Sequence, residues 1–229
     1  MWLLLGVLLG VGIYQLILWP GFHLREIVVS GTSVVSRDDV LRRAALDRTK
    51  NIWLQNMHAA AARIETIPWV DQAYIHRLLP ASVFIDVVER RADACAVARD
   101  GTRFTVDATA RVLEPGCARI ARPIMRLSDI QSAPRAGTFL HSAQLAQLQN
   151  DAAALERLDP GTFVTFDLDQ FDQLETTMRS RLGVKFGDDG DLPAKVRLLD
   201  SILKSSSIRR SGLRTIDLRA PEAPVAVYR

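Results

Sequence analysis

The spacing of apolar residues predicts a helix followed by a strand between residues 57 and 88. Val83, Ile85 and Val87 recur at every second position, the period that places side chains on one face of a β-strand. Asn56 is a candidate N-cap for the helix, and Pro68 disfavours helical geometry in the residue before it. The apolar stripe of this helix comprises Met57, Ala60, Ala61, Ile64 and Ile67.

Two further elements are predicted upstream of that helix. Ser36 precedes Asp38 and Asp39, and acidic residues after a capping serine are typical of the first turn of a helix. Before them, Ile27 and Val29 share one face of a short strand. The predicted order is therefore strand, helix, helix, strand, strand.

The start of the chain predicts a membrane span. Residues 2–19 carry no charge, and Gln15 is their one strongly polar residue. A helix of that length rises about 27 Å, close to the thickness of the hydrocarbon core. Trp2 and Trp19 are placed like interface anchors, and Pro20-Gly21 would end the helix. The basic n-region and the cleavage site of a signal peptide are both missing, so a retained span is favoured over a signal peptide or a buried helix.

The orientation of this span follows from the length of the chain after it. The first basic residue is Arg25, so the balance of Lys and Arg says little about which side the start faces. Long following domains are translocated largely regardless of charge. We therefore expect residues 22–229 to lie outside the cytoplasm.

The remainder of the chain predicts a mainly β domain with two helices. Asp100-Gly101 between apolar runs is typical of a hairpin turn, and Asp191 is a candidate cap for the second helix. The first helix has its apolar stripe at Leu145, Leu148, Ala152 and Leu155. Strands are expected at residues 95–99, 103–106, 110–113, 163–168, 173–179, 184–186 and 213–219.

The charge distribution and the sequence motifs argue against nucleic-acid binding, catalysis and metal binding. The chain has 229 residues and a net charge of +3, and its basic residues are dispersed, so a nucleic-acid interface is not expected. No GxSxG or Walker A motif provides a nucleophile or a phosphate-binding loop. The acidic segment 187–191 lacks the spacing of a calcium loop and is interpreted as a solvated turn. The histidines lack the spacing of a metal site: His23, His58, His76 and His141. We expect no catalytic residue, cofactor, metal ion or small-molecule substrate.

Cys95 and Cys117 are the two cysteines of the chain. Cys95 lies among apolar residues of a predicted strand, and a free buried cysteine is an ordinary core residue. We therefore favour two free thiols. Pairing remains the alternative, and it would require the two Cα atoms to lie within about 7 Å.

The segment 68–90, PWVDQAYIHRLLPASVFIDVVER, resembles the second half of a POTRA domain. Together with 22–46, FHLREIVVSGTSVVSRDDVLRRAAL, with ERRADA at 89–94 and with RTIDLRAP at 214–221, it resembles the FtsQ family of bacterial division proteins, also called DivIB. One departure concerns a binding surface, because Ala220 stands where some members carry an aromatic residue after Asp-Leu-Arg.

The resemblance implies an α+β fold in three parts: a single N-terminal transmembrane helix over 1–20, a POTRA domain (β-α-α-β-β) over 21–92, and a mainly β mixed domain with two helices over 93–229. It implies a non-enzymatic, single-pass scaffold of the inner membrane at the division septum. Its expected partners are FtsB and FtsL, or their DivIC-type counterparts, with the peptidoglycan synthases FtsW and FtsI beyond them. Two alternatives remain open, a POTRA-containing envelope assembly or secretion factor and a membrane-tethered periplasmic hydrolase.

The last predicted strand is the candidate binding surface. Ile216 and Leu218 are expected to face the core, while Thr215, Asp217 and Arg219 face outward. A terminal strand that pairs on one side leaves unpaired backbone groups, which an extended partner can complete by β-augmentation. The resemblance implies that FtsB lies beside this strand and that Arg219 reaches an acidic residue of the partner.

Overall fold

The computed structural model describes residues 2–118, 123–188, 190–205 and 211–228. Asp189, which belongs to the predicted acidic turn, lies outside these ranges. The chain forms two compact units, Met1–Arg90 and Arg91–Arg229. Each unit is described separately below.

The first unit contains the predicted succession of a strand, two helices and two strands. Its elements are α1 (Trp2–Leu18), a 3-10 turn (Pro20–Phe22), β1 (Glu26–Ser30), α2 (Arg37–Ala44), α3 (Met57–Ile64), β2 (Val70–Leu78) and β3 (Ser82–Glu89). The three strands form one sheet in the order β1-β3-β2, in which β1 is parallel and β2 antiparallel to the central β3.

Local sequence explains these boundaries. The Ser36 side chain accepts a hydrogen bond from the Asp39 amide at the start of α2, and Asn56 accepts one from the Ala59 amide at the start of α3. Both predicted caps are therefore confirmed. The predicted alternation in β3 is confirmed as well, because its apolar set is buried: Val83, Ile85 and Val87.

A membrane-spanning helix was expected over residues 2–19. The helix α1 occupies most of that range and consists of uncharged residues. No helix in the described part of the chain reaches the length and apolarity that a membrane crossing requires.

The second unit is built on one open, mixed sheet of nine strands with two helices. Its elements are β4 (Ala92–Val97), β5 (Arg103–Asp107), β6 (Val112–Pro115), β7 (Ile124–Arg126), α4 (Ala143–Leu158), β8 (Phe163–Leu168), β9 (Leu174–Met178), β10 (Gly183–Gly187), α5 (Leu192–Lys204), β11 (Leu213–Asp217) and β12 (Val225–Tyr228). The strand order is β12-β11-β10-β9-β8-β7-β4-β5-β6, so β12 and β6 are the edges.

Three details of the second unit differ from the prediction. Ala92, which we assigned to the end of the first domain, is the first residue of β4. The strands β7 and β12 were missed. Both are very short, and residues 124–126 and 225–228 offer too few positions for an alternating pattern to show.

The preference for free thiols was wrong, because Cys95 and Cys117 form a disulfide with a Cα–Cα separation of 5.2 Å. Cys95 is buried within β4 as expected, but the segment after β6 passes close enough to reach it. The hydroxyl of buried Thr105 holds that segment, since it donates to the Gly116 carbonyl and accepts from the Ala118 amide. This tertiary approach is not visible in the spacing of the two cysteines.

Candidate partner-binding edge

The predicted free edge at Thr215–Arg219 is wrong, because β11 has a neighbouring strand on each side. One neighbour is β10, with Val184 opposite Ile216 in a parallel pair. The other is β12, with Val227 opposite Thr215 in an antiparallel pair. The backbone of β11 is therefore not available to an extended partner.

The free edge belongs to β12, one strand further along the chain. Among the described residues, β12 pairs with β11 alone. Its side chains are unusually apolar for an exposed strand, with Val225 55%, Val227 45% and Tyr228 43% exposed. A flat, apolar edge strand is a template for pairing with another chain. The run of β-branched and aromatic residues after Pro224 was the available signal for this strand.

The facing of the side chains in β11 and in the two residues after it was predicted correctly. Ile216 and Leu218 are buried, while Thr215 and Asp217 are half-buried and Arg219 is exposed. The two buried residues fix β11 in the core. This strand is consequently the rigid support on which β12 is paired.

Arg219 and Asp217 form an ion pair at the end of β11. Arg219 Nη2 lies 2.6 Å from Asp217 Oδ2, and Arg219 Nε lies 3.0 Å from each carboxylate oxygen. The Arg219 side chain is 44% exposed. The hydrogen bond from Arg219 holds the pKa of Asp217 below its usual value and outweighs the effect of partial burial. Asp217 is therefore ionised at neutral pH and fixes the direction of the guanidinium.

Arg219 and the start of β12 line one groove. The groove has a volume of about 360 Å³. Its walls are formed by Gln173, Asp217, Arg219, Ala220, Ala223 and Val225. The small side chain of Ala220 leaves this groove open. Arg219 and the free edge of β12 are thus adjacent.

Gly187 was not identified as a site residue from the sequence, although its backbone passes close to Arg219. It stands at a bulge in the pairing of β10 with β9, and its φ is +80°. A Cβ atom at this position would lie 3.0 Å from Arg219 Cγ and 3.4 Å from Arg219 Cα. A side chain at this position would be strained by the backbone conformation and crowded by Arg219, so glycine suits it best.

A buried lysine holds the same bulge from the side of α5. Lys195 is 4% exposed, and its ammonium group donates to the Phe186 carbonyl at 2.9 Å and to the Asp188 carbonyl at 3.0 Å. It also contacts the Asp188 carboxylate at 2.6 Å. This hydrogen bond keeps the pKa of Asp188 below its usual value. Lys195 is therefore a positioning residue for the strand end that contacts Arg219.

Replacement of Lys195 by methionine is expected to destabilise the protein by about 1–3 kcal/mol, because the buried Phe186 carbonyl loses its donor. The measurement is the free energy of unfolding in urea. Lys204→Met on the same helix is the control, since its side chain is 74% exposed and its pair with Asp200 lies at the surface. Equal stability of the two variants would contradict this role of Lys195.

Two further ion pairs lie along the same sheet. Lys185 on β10 pairs with Glu175 on β9, and Arg126 on β7 lies 3.8 Å from Asp167 on β8. Burial raises the pKa of Asp167 despite the attraction of Arg126.

Within the described residues, no group of three or more His, Cys, Asp or Glu side chains is arranged to hold a metal ion.

The chain is similar in sequence to known proteins over the first unit and over most of its length. A family model described as "POTRA domain, FtsQ-type" matches residues 22–90. Two proteins named "Cell division protein FtsQ" match most of the chain. The one from Rickettsia typhi is 21% identical over 90% of this chain and 73% of its own length. The one from Syntrophotalea carbinolica is 26% identical over 86% of this chain and 70% of its own length.

A third relative matches more strongly over a shorter region. The "Cell division protein FtsQ" of Myxococcus fulvus is 31% identical over 105 residues, which is 41% of this chain. The match spans only 36% of the length of the Myxococcus protein.

Proposed function

The chain belongs to the FtsQ family of bacterial cell-division proteins, also called DivIB, and from that premise we propose that it is a scaffold of the division machinery. Its activity is binding rather than catalysis. The edge strand β12 receives an extended segment of an FtsB- or FtsL-type partner. Through these partners the scaffold is connected to the septal peptidoglycan synthases FtsW and FtsI.

The observation that carries this proposal is the exposed apolar edge at β12. Strand addition supplies affinity through main-chain hydrogen bonds and specificity through side-chain contacts. Val225, Val227 and Tyr228 provide apolar contacts along the edge. The underlying β11 is fixed by Ile216 and Leu218, so an added strand meets a rigid template.

Arg219 is the charged anchor of the proposed site. A guanidinium has five N–H donors, so a partner carboxylate can share Arg219 with Asp217. The role proposed for Asp217 is to orient Arg219, and that of Thr215 is to pair with the docking strand. The proposed docking edge is therefore residues 225–228, instead of residues 215–219 as expected from the sequence.

We further propose that the two units lie on the extracytoplasmic side of the inner membrane, anchored by α1 and concentrated at the septum. The Cys95–Cys117 disulfide supports this compartment, because disulfides persist in the bacterial periplasm and are rare in the cytosol. The anchor is supported by the apolar, exposed side chains of α1, including Val7, Leu8 and Leu9. It is proposed although no described helix meets the requirements of a membrane crossing.

Reversal of the charge at Arg219 tests the anchor. Arg219→Glu is expected to weaken binding of a purified FtsB–FtsL-type complex on the order of tenfold or more, because a partner carboxylate would then face two acidic groups. Binding is measured by titration of the full chain in detergent or nanodiscs. Arg214→Glu is the matched control, since Arg214 lies on the same strand and is exposed. If both variants bind as tightly as the parent, Arg219 has no part in the interface.

A further inference from the structure

Exposed apolar side chains surround the place where the chain leaves α1. Trp53 and Leu54, in the loop between α2 and α3, are 53% and 61% exposed. Leu78 and Leu79, at the turn between β2 and β3, are 48% and 64% exposed. We refer to these four residues as the apolar rim. Exposed apolar clusters of this kind mark contact with a protein or a membrane.

Backbone hydrogen bonds place both parts of the apolar rim beside the segment that follows α1. The Ile52 amide donates to the Phe22 carbonyl at 2.9 Å, which holds the loop of Trp53. The Arg25 amide donates to the Ala81 carbonyl at 2.8 Å, which holds the turn after Leu79. The apolar rim is therefore continuous with the exit of the chain from the apolar helix.

The loop that carries Trp53 is held in place by several contacts. Ile52 is fully buried, and Asn51 Oδ1 accepts a hydrogen bond from the Trp53 amide at 2.8 Å. The Arg77 guanidinium donates to the Ile52 and Gln55 carbonyls at 2.8 and 2.9 Å and lies over the Trp53 ring. The structure thus orders this backbone and still presents a large aromatic ring outward, so the exposure is built into the loop.

Charge around the apolar rim fits a lipid headgroup layer. Arg25 and Lys50 are exposed beside it, and the Lys50 ammonium is 3.4 Å from Asp47. Glu26 is also exposed there, so the local charge is mixed, with basic groups next to an aromatic ring. Trp together with Lys or Arg is the combination that occupies membrane–water interfaces.

We propose that the apolar rim rests in the interfacial layer of the membrane that anchors α1. The proposal deepens the proposed function and depends on its membrane anchor. The argument is continuity: a bilayer that covers the exposed apolar side chains of α1 ends where Trp19, 55% exposed, and the rim begin. The contact holds the POTRA unit against the membrane at two points in addition to the chain itself.

The test uses brominated lipids, which quench tryptophans in contact with the acyl chains. The full chain is reconstituted in vesicles of phosphatidylcholine and phosphatidylglycerol, with and without brominated chains. Three variants each remove one tryptophan, Trp53→Phe, Trp19→Phe and Trp69→Phe. Trp69 is the matched control, because it belongs to the same unit but is 7% exposed.

Each result has a distinct meaning. We expect Trp53→Phe to remove a strongly quenched component, as Trp19→Phe does, whereas Trp69→Phe removes an unquenched one. If the Trp53 component is unquenched while that of Trp19 is quenched, the docking of the apolar rim in the membrane is wrong. If the protein also fails to float with the vesicles and Trp19 is unquenched, the membrane anchor itself is wrong.

Discussion

Replacing both Val225 and Val227 with lysine is expected to weaken partner binding by about a hundredfold or more. The reason is that the proposed docking edge would then carry two charges that lose their hydration when the partner binds. Both side chains are about half exposed, so the fold should tolerate the change. Binding is measured by titration with the FtsB–FtsL-type complex, and folding by circular dichroism and thermal unfolding.

A control with the same chemistry is available in the first unit. Val34 and Val88 are 50% and 42% exposed, close to the 55% and 45% of Val225 and Val227. Replacing Val34 and Val88 with lysine should leave affinity unchanged. If the edge variant folds and binds like this control, the partner uses another surface and the assignment of β12 fails.

Gly31→Ala is expected to unfold the POTRA unit. Gly31 follows β1 with φ +77°, and a Cβ atom there would lie 2.0 Å from the backbone carbonyl oxygen of Val87. The left-handed conformation costs an alanine about 1–2 kcal/mol, and the overlap forces β1 and β3 apart. We expect a total loss on the order of 3–5 kcal/mol. Urea unfolding of the full chain, followed by near-ultraviolet circular dichroism, measures the loss.

The surrounding contacts leave Gly31 little room to move. Immediately after it, the Glu89 carboxylate accepts hydrogen bonds from the amides of Ser33, Val34 and Val35. Burial acts to raise the pKa of Glu89, but the hydrogen bond from the Ser33 hydroxyl and those from the three amides together hold it below its usual value. The carboxylate therefore stays ionised at neutral pH and pins the loop to the end of β3.

A substitution at Gly101 distinguishes the cost of the left-handed backbone conformation from the cost of the overlap with Val87. Its φ is +84°, similar to that of Gly31, but no atom lies within 4 Å of a Cβ atom built there. Gly101→Ala should therefore cost only the backbone contribution, about 1–2 kcal/mol. Equal losses for the two variants would show that the contact with Val87 does not matter.

The sequence alone determined the elements whose signals are local. The alternation at Val83, Ile85 and Val87 predicted β3, the caps Ser36 and Asn56 marked two helix starts, and Asp100-Gly101 marked a hairpin. Each of these depends on contacts within a few residues along the chain, so period and turn chemistry were sufficient to find them.

Only the tertiary structure decided the neighbours of each element. The sequence placed Ile216 inward and Arg219 outward, but it could not show that β12 covers β11, because Val225–Tyr228 is too short for a pattern. The disulfide and the contact of Gly187 with Arg219 were missed for a related reason. Strand order, a crossing segment and a close approach are properties of residues far apart in sequence. They follow from packing of the whole sheet, which local spacing does not encode.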